Sequence, residues 1–218
     1  MTHSLHRQGT RENLSNDFVI YFAPAPGINS EGSGPKHRRF LEIAFRNNVK
    51  NAGYAGFGNL IEHSQQELLD KGSGGAAQIC CDSKEDVVKI LKETIEADMG
   101  LSIVVQGVVE EIEDCLDQLG LKMHTVHHSL GVWGKTEKLP GKNVLEITTM
   151  CGHGLVSTNL VHKLIDDVIS GSISSGEAAR LMTRQCRCGI FNISRAEALL
   201  DRLASRAKNN SKDLRAGD

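Results

Sequence analysis

Aromatic residues are scarce. They make up 4% of the 218 residues, too few for the stacking platforms that hold single-stranded nucleic acid. An excess of charge of one sign is missing too: the formal net charge is −2, which gives no electrostatic case for nucleic acid or an anionic membrane as partner. No apolar run reaches the roughly 18 residues that a membrane-spanning helix needs. The opening stretch MTHSLHRQGTRENLSND carries no apolar segment of signal-peptide type. There is no internal repeat and no low-complexity block. These absences lead to the expectation of a cytoplasmic protein with no nucleic acid and no membrane among its partners. In a reducing compartment its six cysteines serve metal binding or catalysis more readily than disulfides.

What the sequence does hold is an ordinary globular composition, 39% hydrophobic and 24% charged, long enough to bury a sizeable core. Glycine is plentiful at 22 residues, many beside the expected ends of elements, as tight turns and close backbone approaches require. Residues 1–16 read as a polar arm, 17–206 as a single α/β domain and 207–218 as a flexible tail.

Strands are expected at DFVIYFA (17–23), AAQICCD (76–82) and LSIVVQG (101–107), at the opening of LKMHTVHHSLGVWG (121–134), and at VLEITTM (144–150). Helices are expected after Pro35, in FGNLIEHSQQELLDKG, after Ser83 and along VVEEIEDCLDQLG, with a helical carboxyl-terminal part from about residue 155. Ser83 with Asp86, Ser174 with Glu177, and Ser194 with Glu197 have capping-box spacing. Strands alternating with helices of this length imply a mostly parallel or mixed sheet of about five strands with flanking helices. The segment NAGYAGFGN (51–59) is expected to be a lid or a simple loop.

The chemistry concentrates in TTMCGHG and CRCG. Cys151, Cys186 and Cys188 each sit in a glycine-containing turn near an expected helix start, where main-chain N–H groups and the helix dipole favour thiolate. Three such thiolates can hold three irons of a 4Fe-4S cluster and leave the fourth open. They can equally bind zinc with His153 as fourth ligand. The Cys-x-Cys spacing is tighter than structural zinc sites use, which tilts this reading toward iron–sulfur. The competing reading is three small buried residues with no ligand. Cys81 is the better placed of the Cys80–Cys81 pair to face the same crevice, and Cys115 reads as a core thiol. Residues two apart on a turn seldom face one another, so His153 is a poor base for Cys151. It serves better as a proton-handling group, as does His128, with His124 and His127 beside it near the end of the third expected strand.

The loop PGINSEGSGPKHRRF follows a strand and opens a helix, where anions bind. Its glycines fail the P-loop and dinucleotide fingerprints: Ser33 stands where the first needs lysine, and Gly32-Ser33-Gly34 is not completed by a third glycine, Arg39 coming too late and having the wrong character. Lys36, Arg38 and Arg39 remain as a grip for a small anionic substrate. Together these features lead to an expected cytoplasmic metalloprotein, an iron–sulfur enzyme doing lyase or sulfur-transfer chemistry on a small anion. A metal or cluster carrier and a metal-free cysteine enzyme are the alternatives, with a protein partner or a second copy of the chain left open.

Overall fold

The computed structural model describes residues 4–72 and 75–215, with 210–215 as helical backbone. In chain order the elements are α1 (Arg11–Leu14), β1 (Phe18–Ala23), α2 (Gly34–Arg46), β2 (Asn51–Tyr54), β3 (Gly58–Asn59), α3 (Gln65–Lys71), β4 (Ala77–Cys81), α4 (Lys84–Glu96) and β5 (Ser102–Gln106). They continue with α5 (Val109–Asp117), a short 3-10 turn at Thr136–Lys138, α6 (Lys142–Thr148), α7 (Thr158–Ser170), α8 (Ser175–Thr183) and α9 (Ile193–Arg215).

The five strands lie in the order β3-β2-β4-β1-β5, and every adjacent pair is antiparallel. The expected parallel or mixed sheet is therefore corrected, for a topological reason. Helix α2 joins β1 to β2 and helix α4 joins β4 to β5, and the strands within each of these pairs are parallel to one another. In each case a third strand runs between them in the opposite sense, giving two interleaved split β-α-β units. Strand–helix alternation reports the crossovers but not which strand slips in between.

Two further expectations fail. VLEITTM is helix rather than strand: Val144 and Ile147 are buried in α6 and Met150 just beyond it, one helical turn apart. Among the described residues, 121–135 contain no strand. The segment is an exposed connection that carries His124, His127 and His128, and its alternating residues have no neighbouring strand to pair with. The segment 51–59 forms a buried hairpin, β2–β3, instead of a lid.

Capping residues are placed by side-chain acceptors. Ser83 accepts from the Asp86 N–H and Ser174 from the Glu177 N–H, both at 3.1 Å. At α9 the cap is Asn192, whose Oδ1 accepts from the Arg195 N–H at 3.0 Å, two residues ahead of the expected Ser194. Helix α9 runs on to Arg215, through most of the segment expected as a tail; 216–218 lie outside the described residues.

Alternation along β1 separates two cores. Phe18, Ile20 and Phe22 pack with α2, α3, α4 and α5, including Phe40, Leu41 and Ile90. Val19 points the other way, into a core built by α6 to α9 that includes Met150, Cys151, Cys186, Cys188 and Phe191. No helix among the described residues is long and apolar enough to cross a membrane.

Residues 4–16, within the segment expected as a polar arm, are docked. Arg7 is buried and its guanidinium donates to the Asp17 carboxylate and to the carbonyls of Met150 and Ile190. Arg195 completes the anchor, with Nη1 on Asp17 Oδ2 at 2.7 Å and Nη2 on the Gln8 carbonyl at 2.6 Å. A polar composition alone does not show that two arginines and an aspartate will neutralise one another inside.

Candidate functional site: a buried cysteine cluster

The loop from α8 to α9 carries Cys186 and Cys188 across the polar face of the sheet. Its turn closes through the Gly189 N–H to the Cys186 carbonyl at 3.2 Å, and Gly189 adopts φ +81°. A Cβ there would lie 2.5 Å from the Gly53 nitrogen, so the turn rests on the β2 backbone with no room for a side chain. Asn59 Nδ2 donates to the carbonyls of Thr183 and Cys186, at 3.1 and 2.8 Å, and Arg187 to that of Phe57 at 2.7 Å. Cys151 comes from the other direction, on the turn that ends α6. Its carbonyl accepts from the Gly154 N–H at 3.0 Å, and Gly154 has φ +67°. Arg7, bonded to the carbonyls of Met150 and Ile190, ties the two cysteine-bearing turns together.

The three sulfurs meet. Cys186 Sγ lies 3.8 Å from Cys188 Sγ, and Cys188 Sγ lies 3.7 Å from His153 Nδ1. Cys151 is hydrogen-bonded to Cys186 and Cys186 to Cys188, and the directions of their acidity shifts fit protons held on Cys151 and Cys186. All three residues are buried at 0–2% exposure, whereas His153 is exposed and covers the cluster at the surface. Each sulfur also receives main-chain N–H groups: those of Leu155 and His153 at Cys151, Phe191 at Cys186 and Ile190 at Cys188. Amides aimed at sulfur favour thiolate over thiol.

The hydrogen-bond chain divides the acidities. Cys151 is raised because its proton is held by Cys186 and because it is buried. The bond from Cys151 pulls Cys186 down, but its own bond to Cys188 and burial win, leaving it at about 12. Cys188, at the receiving end, is lowered by the hydrogen bond from Cys186 despite burial. It is the natural thiolate of the group. Tyr21, on the same sheet face, is raised by burial and by the charge on Cys188.

The contacts run as a line, Cys151–Cys186–Cys188–His153. Among the described residues no group of three or more His, Cys, Asp or Glu side chains is arranged to hold a metal ion. The individual spacings nevertheless suit one small ion. Four ligands about 2.3 Å from zinc lie roughly 3.8 Å apart along a tetrahedral edge. The line would have to bend so that the four groups share one centre. A cubane sets its thiolates on separate irons, farther apart, and asks for a larger opening of the same cluster. Beside Cys151 a cavity of about 300 Å3 is lined by His6, Leu145, Thr148, Gly152 and Thr158.

Other expected site residues lie elsewhere. Lys36, Arg38 and Arg39 are on α2, across the sheet from the cysteines. Arg38 is engaged by Glu42 at 3.1 Å and Asp70 at 2.6 Å, and Arg39 pairs with Glu42 at 3.6 Å. They do not converge on the cluster because α2 buries its apolar stripe against the opposite face. His128 lines a second cavity, with Arg7 and Ser4, and no contact joins it to the thiols. Cys81 points into the α2 core, paired with Phe18; Cys80, paired with Val19, is the one on the cluster's side. Cys115 is buried in the same core as Cys81. The residues that sequence reading passed over are Arg7, Asp17, Asn51, Asn59 and Asn192, all buried and polar or charged. Their one signal was a polar residue abutting an apolar strand or turn, as in Asp17-Phe18 and Phe191-Asn192.

Comparison with protein-family models, with curated proteins and with solved structures finds no match for this chain.

Proposed function

We propose that Cys151, Cys186 and Cys188, with His153 at the rim, form a thiolate site for a thiophilic metal, and that the chain is a metalloprotein using it for non-redox lyase or sulfur-transfer chemistry. One observation carries this reading: three buried sulfurs from turns on either side of α7 and α8 lie in contact, each supplied with main-chain N–H donors. Thiols that only fill space have no use for such donors, since an apolar neighbour would serve them as well. Spacing at the Cys186–Cys188 pair favours a single zinc-like ion over a 4Fe-4S cluster, with the cluster the larger rearrangement.

When bound, the metal would supply Lewis acidity. The chain's own groups would do the rest. Cys151, Cys186 and Cys188 would hold the metal, His153, left off it, would hold or pass a proton at Nδ1, and the cavity beside Cys151 would admit a small substrate. Anaerobic metal and sulfide analysis of the wild type beside Cys151→Ala, Cys186→Ala and Cys188→Ala tests the assignment. Loss of metal in all three variants supports one shared site, and a metal-free wild type from a metal-replete preparation would end it.

A second reading rests on the lowered pKa of Cys188 and its 3.7 Å approach to His153 Nδ1. In it the protein is a metal-free thiol enzyme with Cys188 as nucleophile. It predicts that metal-free protein keeps its full reactivity toward an electrophile at Cys188.

A further inference from the structure

A separate cavity of about 140 Å3 has Arg7 in its lining and none of the thiols. A single water needs only about 10–15 Å3 of such space, so a phosphate or a short carboxylate has room to enter. Ser4 and Arg7 line it from the amino-terminal segment, Asp17, already paired with Arg7 and Arg195, from the edge of β1, His127 and His128 from the 121–135 connection, and Gly107 to Val109 from the start of α5.

Three features of this cavity call for negative charge. Helix α5 spans nine residues, and Val108 at its cap supplies no side-chain acceptor, so its first amides face the cavity end uncapped. Ser4, only 5% exposed, has its hydroxyl without a hydrogen-bond partner, and Arg7 Nε is likewise buried and unpartnered. Arg7 and Arg195 both lean on the single Asp17 carboxylate, which leaves two buried cations against one anion. The nearby acids are already engaged. Glu110 pairs with Arg11 at 3.5 Å, Glu111 with Lys84 at 2.7 Å, and Glu146 with Arg202 at 2.6 Å.

We infer that this cavity is a binding site for a small oxyanion, a phosphate or a carboxylate. The anion accepts from the Ser4 hydroxyl, from Arg7 Nε–H and from the leading amides of α5, with His128 at the mouth. The site is independent of whether the thiols hold metal. Because Arg7 also bonds the carbonyls of Met150 and Ile190, the same side chain touches both the anion and the cysteine turns.

The test is calorimetric titration of the full chain with inorganic phosphate and, separately, with malonate, at matched ionic strength. Ser4→Ala, Arg7→Lys and, as a control, Lys89→Ala on the exposed face of α4 are titrated in parallel, each first shown to be folded by circular dichroism. Saturable binding that weakens about tenfold or more in Ser4→Ala and in Arg7→Lys, and is unchanged in Lys89→Ala, supports the site. Ser4→Ala keeps the test open if Arg7→Lys fails to fold. Binding of one probe alone supports the site and names the anion's source. Absence of saturable binding by both probes, or binding that Ser4→Ala leaves unchanged, overturns it. Repeating the titration on Cys186→Ala separates this inference from the metal reading, since binding there is expected to persist.

Discussion

The thiolate form of Cys188 is favoured by a hydrogen bond with Cys186 that can be removed without touching the sulfur itself. Cys186→Ala takes away the hydrogen bond that lowers Cys188, so the Cys188 pKa is expected to rise and its thiolate fraction at neutral pH to fall. The rate of iodoacetamide labelling at Cys188, followed against pH, checks this. A profile unmoved toward higher pH would contradict the proposed chain of thiol hydrogen bonds. Gly189 supports the same cluster sterically. Gly189→Ala must place a Cβ against Gly53 at φ +81°, and the left-handed conformation alone costs about 1–2 kcal/mol. A loss of about 2 kcal/mol or more is expected in urea denaturation. Both cysteine turns were legible in the sequence as glycine turns at element ends. Their resting place on β2 was not, because nothing local in CRCG names the strand beneath it.

Among the elements, the amino-terminal segment matters most for the site. Arg7 and Asp17 form a buried pair, with side chains 7% and 0% exposed. Without Arg7 the Asp17 carboxylate keeps Arg195, but the carbonyls of Met150 and Ile190 lose their donor, and each buried acceptor left unsatisfied costs about 1–3 kcal/mol. Arg7→Ala is therefore expected to lose several times more stability than a surface arginine such as Arg38→Ala, measured by chemical denaturation. Equal losses would remove Arg7 from its role as the tie between the two turns. The sequence showed which segments become β1, β4, β5, α4 and α5, since their periodicity and caps are local. It misled at VLEITTM, a short apolar run whose strand and helix patterns overlap. It also misled at 121–134, where alternation was present but no neighbouring strand was available.

At the scale of the molecule, five thiols pushed upward make the fold sensitive to base. Burial raises Cys80, Cys81 and Cys115, the last to about 11, while Cys186 stands at about 12 and Cys151 is raised by its bond to Cys186. Unfolded thiols titrate near 8.5. Below that pH their contribution to stability is complete, and it is lost as pH rises through the folded values. Cys188 runs the other way, its share being present above the ordinary thiol value and lost as pH falls through its lowered one. The melting temperature is expected to fall steadily from about pH 8.5 upward, and a flat profile there would contradict the burial of the thiols. Sequence alternation pointed to an α/β architecture but wrongly to a mostly parallel or mixed sheet, since parallel and antiparallel neighbours impose the same period on a buried strand. Whether Cys151, Cys186 and Cys188 form one metal site is decided by metal and sulfide content in anaerobically purified wild type beside the three single cysteine-to-alanine variants. A shared site requires bound metal in the wild type and its loss in all three, while unchanged content in any one of them, or a wild type that binds none, would rule it out.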